Sequence, residues 1–92
     1  MLSKGIREIS KSCFEGCENL EDISGGENLT GIRARAFSGC LGLKALALPS
    51  KCWQISPAIF NGCNLDEIVI IAKKGSPAAV FAGRYGFMFK EE

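Results

Sequence analysis

The residues of this chain best suited to chemistry are its five cysteines, Cys13, Cys17, Cys40, Cys52 and Cys63. Thiolates attack electrophiles, bind soft metals and pair as disulfides. Cys17, Cys40 and Cys63 stand at 23-residue intervals, which places them in one line if the chain coils regularly. Two other features invite a chemical reading. Glu15, Glu18, Glu21, Asp22 and Glu27 form an acidic group of the type that attracts calcium. Trp53, the single tryptophan, is a residue type that anchors interfaces. Against these stands the absence of histidine. That removes the commonest general base, the usual partner of a nucleophilic Ser or Cys, and the commonest metal ligand. Catalysis would rest on carboxylates alone, so the chain reads as a non-enzyme without cofactor or metal.

Each chemical reading has a plainer competitor. Thiols stacked at the strand spacing of about 5 Å lie within disulfide reach, so a Cys17–Cys40 bond is one reading. Three thiols in a line match tetrahedral zinc poorly, and an odd cysteine count does not make a closed disulfide framework. The favoured reading is a ladder of small, reduced, inward-pointing core residues. Cys13 and Cys52 also fall in apolar columns, so none of the five is expected to be nucleophilic. The acidic residues lack the order of a calcium-binding loop, and one solvated face explains them better. Arg33, Arg35 and Lys51 are too sparse for a nucleic-acid patch, and the formal net charge is only +1. Asn28-Leu29-Thr30 matches a glycosylation sequon, a pattern frequent by chance.

The elements that would position these residues recur. Phe14-Glu15-Gly16-Cys17 returns as Phe37-Ser38-Gly39-Cys40 and as Phe60-Asn61-Gly62-Cys63. Ile6, Leu29 and Cys52 share a column, as do Ile9, Ile32 and Ile55, and Cys13, Ala36 and Ile59. Leu20 and Leu43 are followed by Leu65, one residue early, and Ile23 and Leu46 by Ile68 in the same way. The third unit therefore reads as having lost one residue after Cys63. Leu46 and Leu48 have the spacing of a strand with one buried face, and Ile68-Val69-Ile70-Ile71 reads as the same strand one unit later. Ile32, Ala36, Phe37 and Cys40 have the spacing of a short helix or 3-10 turn. Glycines 16, 39 and 62 suit turns. One such unit cannot bury its apolar face alone; stacking makes each column a buried ladder.

The pattern Leu29-x-x-Ile32-x-x-x-Ala36-Phe37-x-Gly39-Cys40-x-x-Leu43-x-x-Leu46-x-Leu48-Pro49 resembles the BspA-type leucine-rich repeats. Gly75-Ser76-x-Ala78-x-x-x-Ala82 looks like the segment that closes such arrays. The departures are Cys13 and Cys52, in place of the more usual Ala and Val, and Gly25 in place of a strand aliphatic. The resemblance implies an α/β repeat solenoid, a right-handed stack of short parallel strands and short helical or 3-10 turns with a C-terminal capping helix. It also implies a surface protein that contacts host or other proteins, with no catalytic residues to carry over. The organisation expected is about three repeats over 1–75 and a cap helix and tail over 76–92.

The two ends differ. Ser76 is a good N-cap, Pro77 suits the first helical turn, Gly86 can end the helix, and Phe81 and Tyr85 can share a face. Phe87 and Phe89 are expected to add a short extended piece. Stepping back from Leu48 by repeats gives Gly25 and then Leu2, so the chain starts where a strand of a preceding unit should end. It reads as the C-terminal portion of a longer array, or as a short chain that self-associates through its uncapped N-terminal edge. Met1-Leu2-Ser3-Lys4-Gly5 lacks the apolar stretch of a signal peptide, and no segment is apolar enough to span a bilayer.

The outer strand face is the leading candidate for partner binding. Its columns read Asp22, Ala45, Glu67 and Ser24, Ala47, Val69, beside Glu21, Lys44 and Asp66 of alternating sign. Ala45, Ala47, Val69 and Ile71 would form a small apolar patch rimmed by carboxylates, though such patches also occur on surfaces without partners. Trp53, next to a buried column, either anchors a partner or folds over its neighbours. The expected function is an adhesion-type protein-interaction module; the alternative is a spacer or closing cap of a larger cell-surface protein.

Overall fold

The computed structural model describes residues 5–91. Leu2, expected at a strand end, lies outside them. The 23-residue step is realised as pairing between identical places in successive units. Short strands β1 (Glu8–Ile9), β3 (Gly31–Ile32) and β5 (Gln54–Ile55) form one parallel sheet, with Ile9 opposite Ile32 and Ile32 opposite Ile55. Strands β2 (Asp22–Ile23), β4 (Ala45–Ala47), β6 (Val69–Ala72) and β7 (Met88–Glu91) form a second. Between the strands of each unit the chain runs through turns, and these are also bonded from unit to unit. Phe14 N–H donates to Ala36 O at 2.8 Å, Gly16 to Ser38 O at 2.8 Å, and Gly39 to Asn61 O at 2.8 Å.

The core lies between the sheets and the turns. Leu46, Leu48 and Ile70 face it from the second sheet, Ile9 and Ile32 from the first. Phe14, Phe37 and Phe60 stack through it, with ring centroids 5.6 and 6.0 Å apart. Glycines 16, 39 and 62 all have left-handed backbone, φ +73 to +80, where a side chain would be strained.

The segment Ile32–Cys40 is not helical. It starts in β3 and continues as successive turns, with Ser38 N–H bonded to Arg35 O and Cys40 N–H to Phe37 O. Left-handed Arg35 and Gly39 interrupt any helix there, so turns alone produce the three-to-four spacing. The single 3-10 turn among the described residues is Leu65–Glu67.

That turn also corrects the register of the third unit. Leu46 pairs with Ile70, not Ile68, a step of 24: the unit has gained a residue. The 3-10 turn takes up the extra length, Ile68 is fully buried, and Leu65 is half exposed. Consequently Val69, not Glu67, lies opposite Ala45. The expected alternation of Glu21, Lys44 and Asp66 is not formed, because Asp66 and Glu67 belong to the 3-10 turn. Among the described residues the one ion pair is Arg33–Glu8, at 2.9 Å on the surface.

The helix α1 (Pro77–Tyr85) begins as its sequence dictates. The Ser76 hydroxyl accepts from Ala79 N–H at 3.3 Å, Pro77 opens the first turn, and Gly86 closes the helix at φ +76. Phe81 and Phe87 then extend the aromatic stack onto Phe60, Phe87 at 5.0 Å from it. The short extended piece expected after the helix is the strand β7. β7 pairs in parallel with β6, Phe89 opposite Ile70, after a step of only 19 residues.

Candidate functional site: the outer sheet face, the cysteine row and the Trp53 groove

The outward positions of the four-stranded sheet form two columns. Asp22, Ala45, Val69 and Met88 lie side by side, as do Ala47, Ile71 and Lys90. Ser24, just after β2, continues the second column by the same 23-residue step. Alternation explains the exposure: in β4, Leu46 is buried between half-exposed Ala45 and Ala47, and in β6, Ile70 and Ala72 are buried while Val69 and Ile71 are half exposed. The result is a shallow apolar strip with Asp22 at one margin and Lys90 at another. Lys44 is exposed at the entry of β4, its main chain bonded to Glu21 on one side and Val69 on the other. Seven of the nine residues expected at a partner surface are thus gathered on or beside this sheet.

Glu67 and Trp53 are not among them. Glu67 is exposed in the 3-10 turn ahead of the sheet. Trp53 enters the other sheet: its N–H donates to Thr30 O at 3.1 Å, and its side chain is exposed. It lines a depression with Val80, Arg84 and Tyr85 of α1. Met88 and Lys90 join the outer face without a signal in the sequence, because β7 does not repeat the motif of the other units.

The cysteine row is only partly inward. All five cysteines are free thiols. Cys40 is buried and Cys63 half buried, but Cys17 and Cys13 are exposed, because no described residue stacks outside the first unit. The Cys40 thiol donates to Phe14 O at 3.1 Å and the Cys63 thiol to Phe37 O at 3.0 Å. Each thiol thereby holds its turn to the preceding unit. Burial pushes both thiols above the ordinary range, and burial raises Cys52 to about 11. A thiol that is buried and donating to a carbonyl is a poor nucleophile.

The sequon residues are occupied by the stacking itself. The Thr30 hydroxyl donates to Arg7 O at 3.0 Å, and Lys51 Nζ donates to Asn28 Oδ1 at 3.0 Å. Among the described residues, no three of Cys, Asp and Glu converge to hold a metal ion, and no helix is long and apolar enough to cross a membrane.

Two parallel sheets, built at a 23-residue step up to β4 and β5, with turns bonded from unit to unit, define a repeat-stack protein. The model of the BspA type leucine rich repeat region (6 copies) matches residues 1–81, and the chain belongs to that family. Such repeats are generally protein-interaction modules and generally non-enzymatic. No curated protein and no solved structure matches the chain.

Proposed function

We propose that this chain is an adhesion-type protein-interaction module, the C-terminal portion of a surface leucine-rich-repeat protein, which binds a protein partner on the outer face of its four-stranded sheet. The supporting observation is the half-exposed strip of Ala45, Ala47, Val69 and Ile71, bordered by Asp22, Ser24 and Lys44. Strands held in register by main-chain bonds present such side chains rigidly, so little ordering entropy is lost when a partner docks. The small side chains of β4 leave room for a partner's larger ones.

The test compares the chain with an Ala45→Arg, Val69→Glu variant on an array of extracellular-matrix and cell-surface proteins, with circular dichroism and melting as folding controls. The reading expects a defined set of bound proteins that the folded variant loses. An unchanged binding profile, or no binding by either chain, favours the alternative of a spacer or closing cap. Self-association through β2 would appear instead as a concentration-dependent mass in light scattering.

A further inference from the structure

We infer that a second, separate binding site lies between β5 and α1, shaped for a peptide segment that carries apolar side chains next to a carboxylate. It lies on the other sheet and stands whether or not the outer-face reading holds. Among the described residues seven large apolar side chains are exposed, and four of them, Trp53, Val80, Tyr85 and Leu65, line two cavities that share Tyr85. Trp53 is 66% exposed, Val80 57% and Tyr85 46%. Such concentration is what distinguishes a docking surface from scattered apolar residues.

The groove is double. One cavity, about 190 Å³, lies among Trp53, Ile55, Val80 and Arg84. Another, about 230 Å³, lies among Pro57, Phe60, Leu65 and Phe87. Tyr85 lines both, and its ring is packed on Phe81 at 4.9 Å. Each cavity is below the roughly 300 Å³ of a small-molecule pocket, and suits one large side chain. Two adjoining side-chain cavities fit a polypeptide better than a compact ligand.

Charge fixes the chemistry of that polypeptide. Among the described residues Arg84 is the single charged one lining either cavity, no carboxylate lines them, and no salt bridge engages it. A guanidinium fork in apolar surroundings favours a carboxylate that it can hold through two N–H donors. One cation is too few for a nucleic-acid backbone.

Trp53 is the only tryptophan, so its emission reports occupancy of the groove directly. The probes are an N-acetylated hexapeptide alternating phenylalanine with aspartate, and its counterpart with lysine in place of aspartate. A saturable shift in Trp53 emission is expected with the acidic peptide, and binding roughly ten-fold weaker with the basic one. Arg84→Glu, with the same far-UV circular dichroism, should invert that order. Arg84→Gln, which should erase it, serves if the reversal disturbs the helix end. Equal binding of both peptides, an order unaffected by either variant, or no saturation would overturn the assignment. So would an emission shift on concentrating the protein alone with dimers in sedimentation, since a second copy would then be the occupant.

Discussion

Phe14 and Phe37 occupy the same place in consecutive units, yet Phe37 is fully buried and Phe14 only partly so. Cys17 and Cys40 differ in the same way. The first unit and the middle unit share their motif; what separates them is that the middle one is covered on both sides. Burial in this molecule is conferred by the neighbouring unit, and stability is therefore concentrated between units rather than within them. Phe14 and Phe37 stack at nearly parallel planes, so the same contact counts once for the outer ring and twice for the inner one, which also meets Phe60.

The largest expected effect tests that asymmetry directly. Phe37→Ala should lower the unfolding free energy by roughly 3–5 kcal/mol, and Phe14→Ala by less than about half as much. Urea denaturation would measure both, and equal losses would refute the idea that neighbours set burial.

The next effect sharpens it at the level of backbone. A Cβ on Gly42 would stand 2.6 Å from Glu18 O of the preceding unit, whereas one on Gly16 would meet nothing within 4 Å. Gly42→Ala should cost roughly 1–3 kcal/mol by forcing two units apart. Gly16→Ala should cost only the strain of φ +77, about 1 kcal/mol. A reversed order in thermal melts would show that unit spacing is not the limiting contact.

The smallest effect is a dependence on pH. Burial raises Cys52 from 9.0 to about 11, so the native state holds its proton where the unfolded chain releases it. Its contribution is complete below pH 9 and is lost as the pH climbs toward 11. Cys52→Val should flatten that slope in denaturation series across this range. In the same native protein at pH 8, exposed Cys13 and Cys17 should react with a thiol reagent well before Cys40 and Cys52. Uniform labelling would remove the distinction between outer and inner units.

Much of this arrangement is legible in the sequence because it is local or periodic. Phe-x-Gly-Cys at a fixed step marks the units, and the Ser76 cap, Pro77 and Gly86 mark the helix without help from tertiary contacts. The first sheet is not legible because strands of two residues, such as Gly31–Ile32, are too short to display alternation. The register of β6 is not legible for another reason. Moving Ile68 to Ile70 is a shift of two, which keeps the same residues facing inward, so the hydrophobic pattern fits both pairings. The exposure of Cys13 and Cys17 depends on what stacks against them, which no single residue encodes. Of the candidate surface, alternation put Ala45, Ala47, Val69 and Ile71 on the outward side, but Val69 stands opposite Ala45 instead of in the column of Ala47. Trp53 could not be assigned from its column alone, since its companions Val80, Arg84 and Tyr85 come from a helix outside the repeat.

The unit-to-unit bonds of both sheets and of the turns run along the axis on which the units are stacked. Tension applied between the ends of the stack therefore peels these rows apart in succession instead of shearing them all at once. A unit of 23 residues that detaches releases roughly 75–80 Å of extended chain. Extension under such a load is therefore expected to come in steps, one row of bonds at a time.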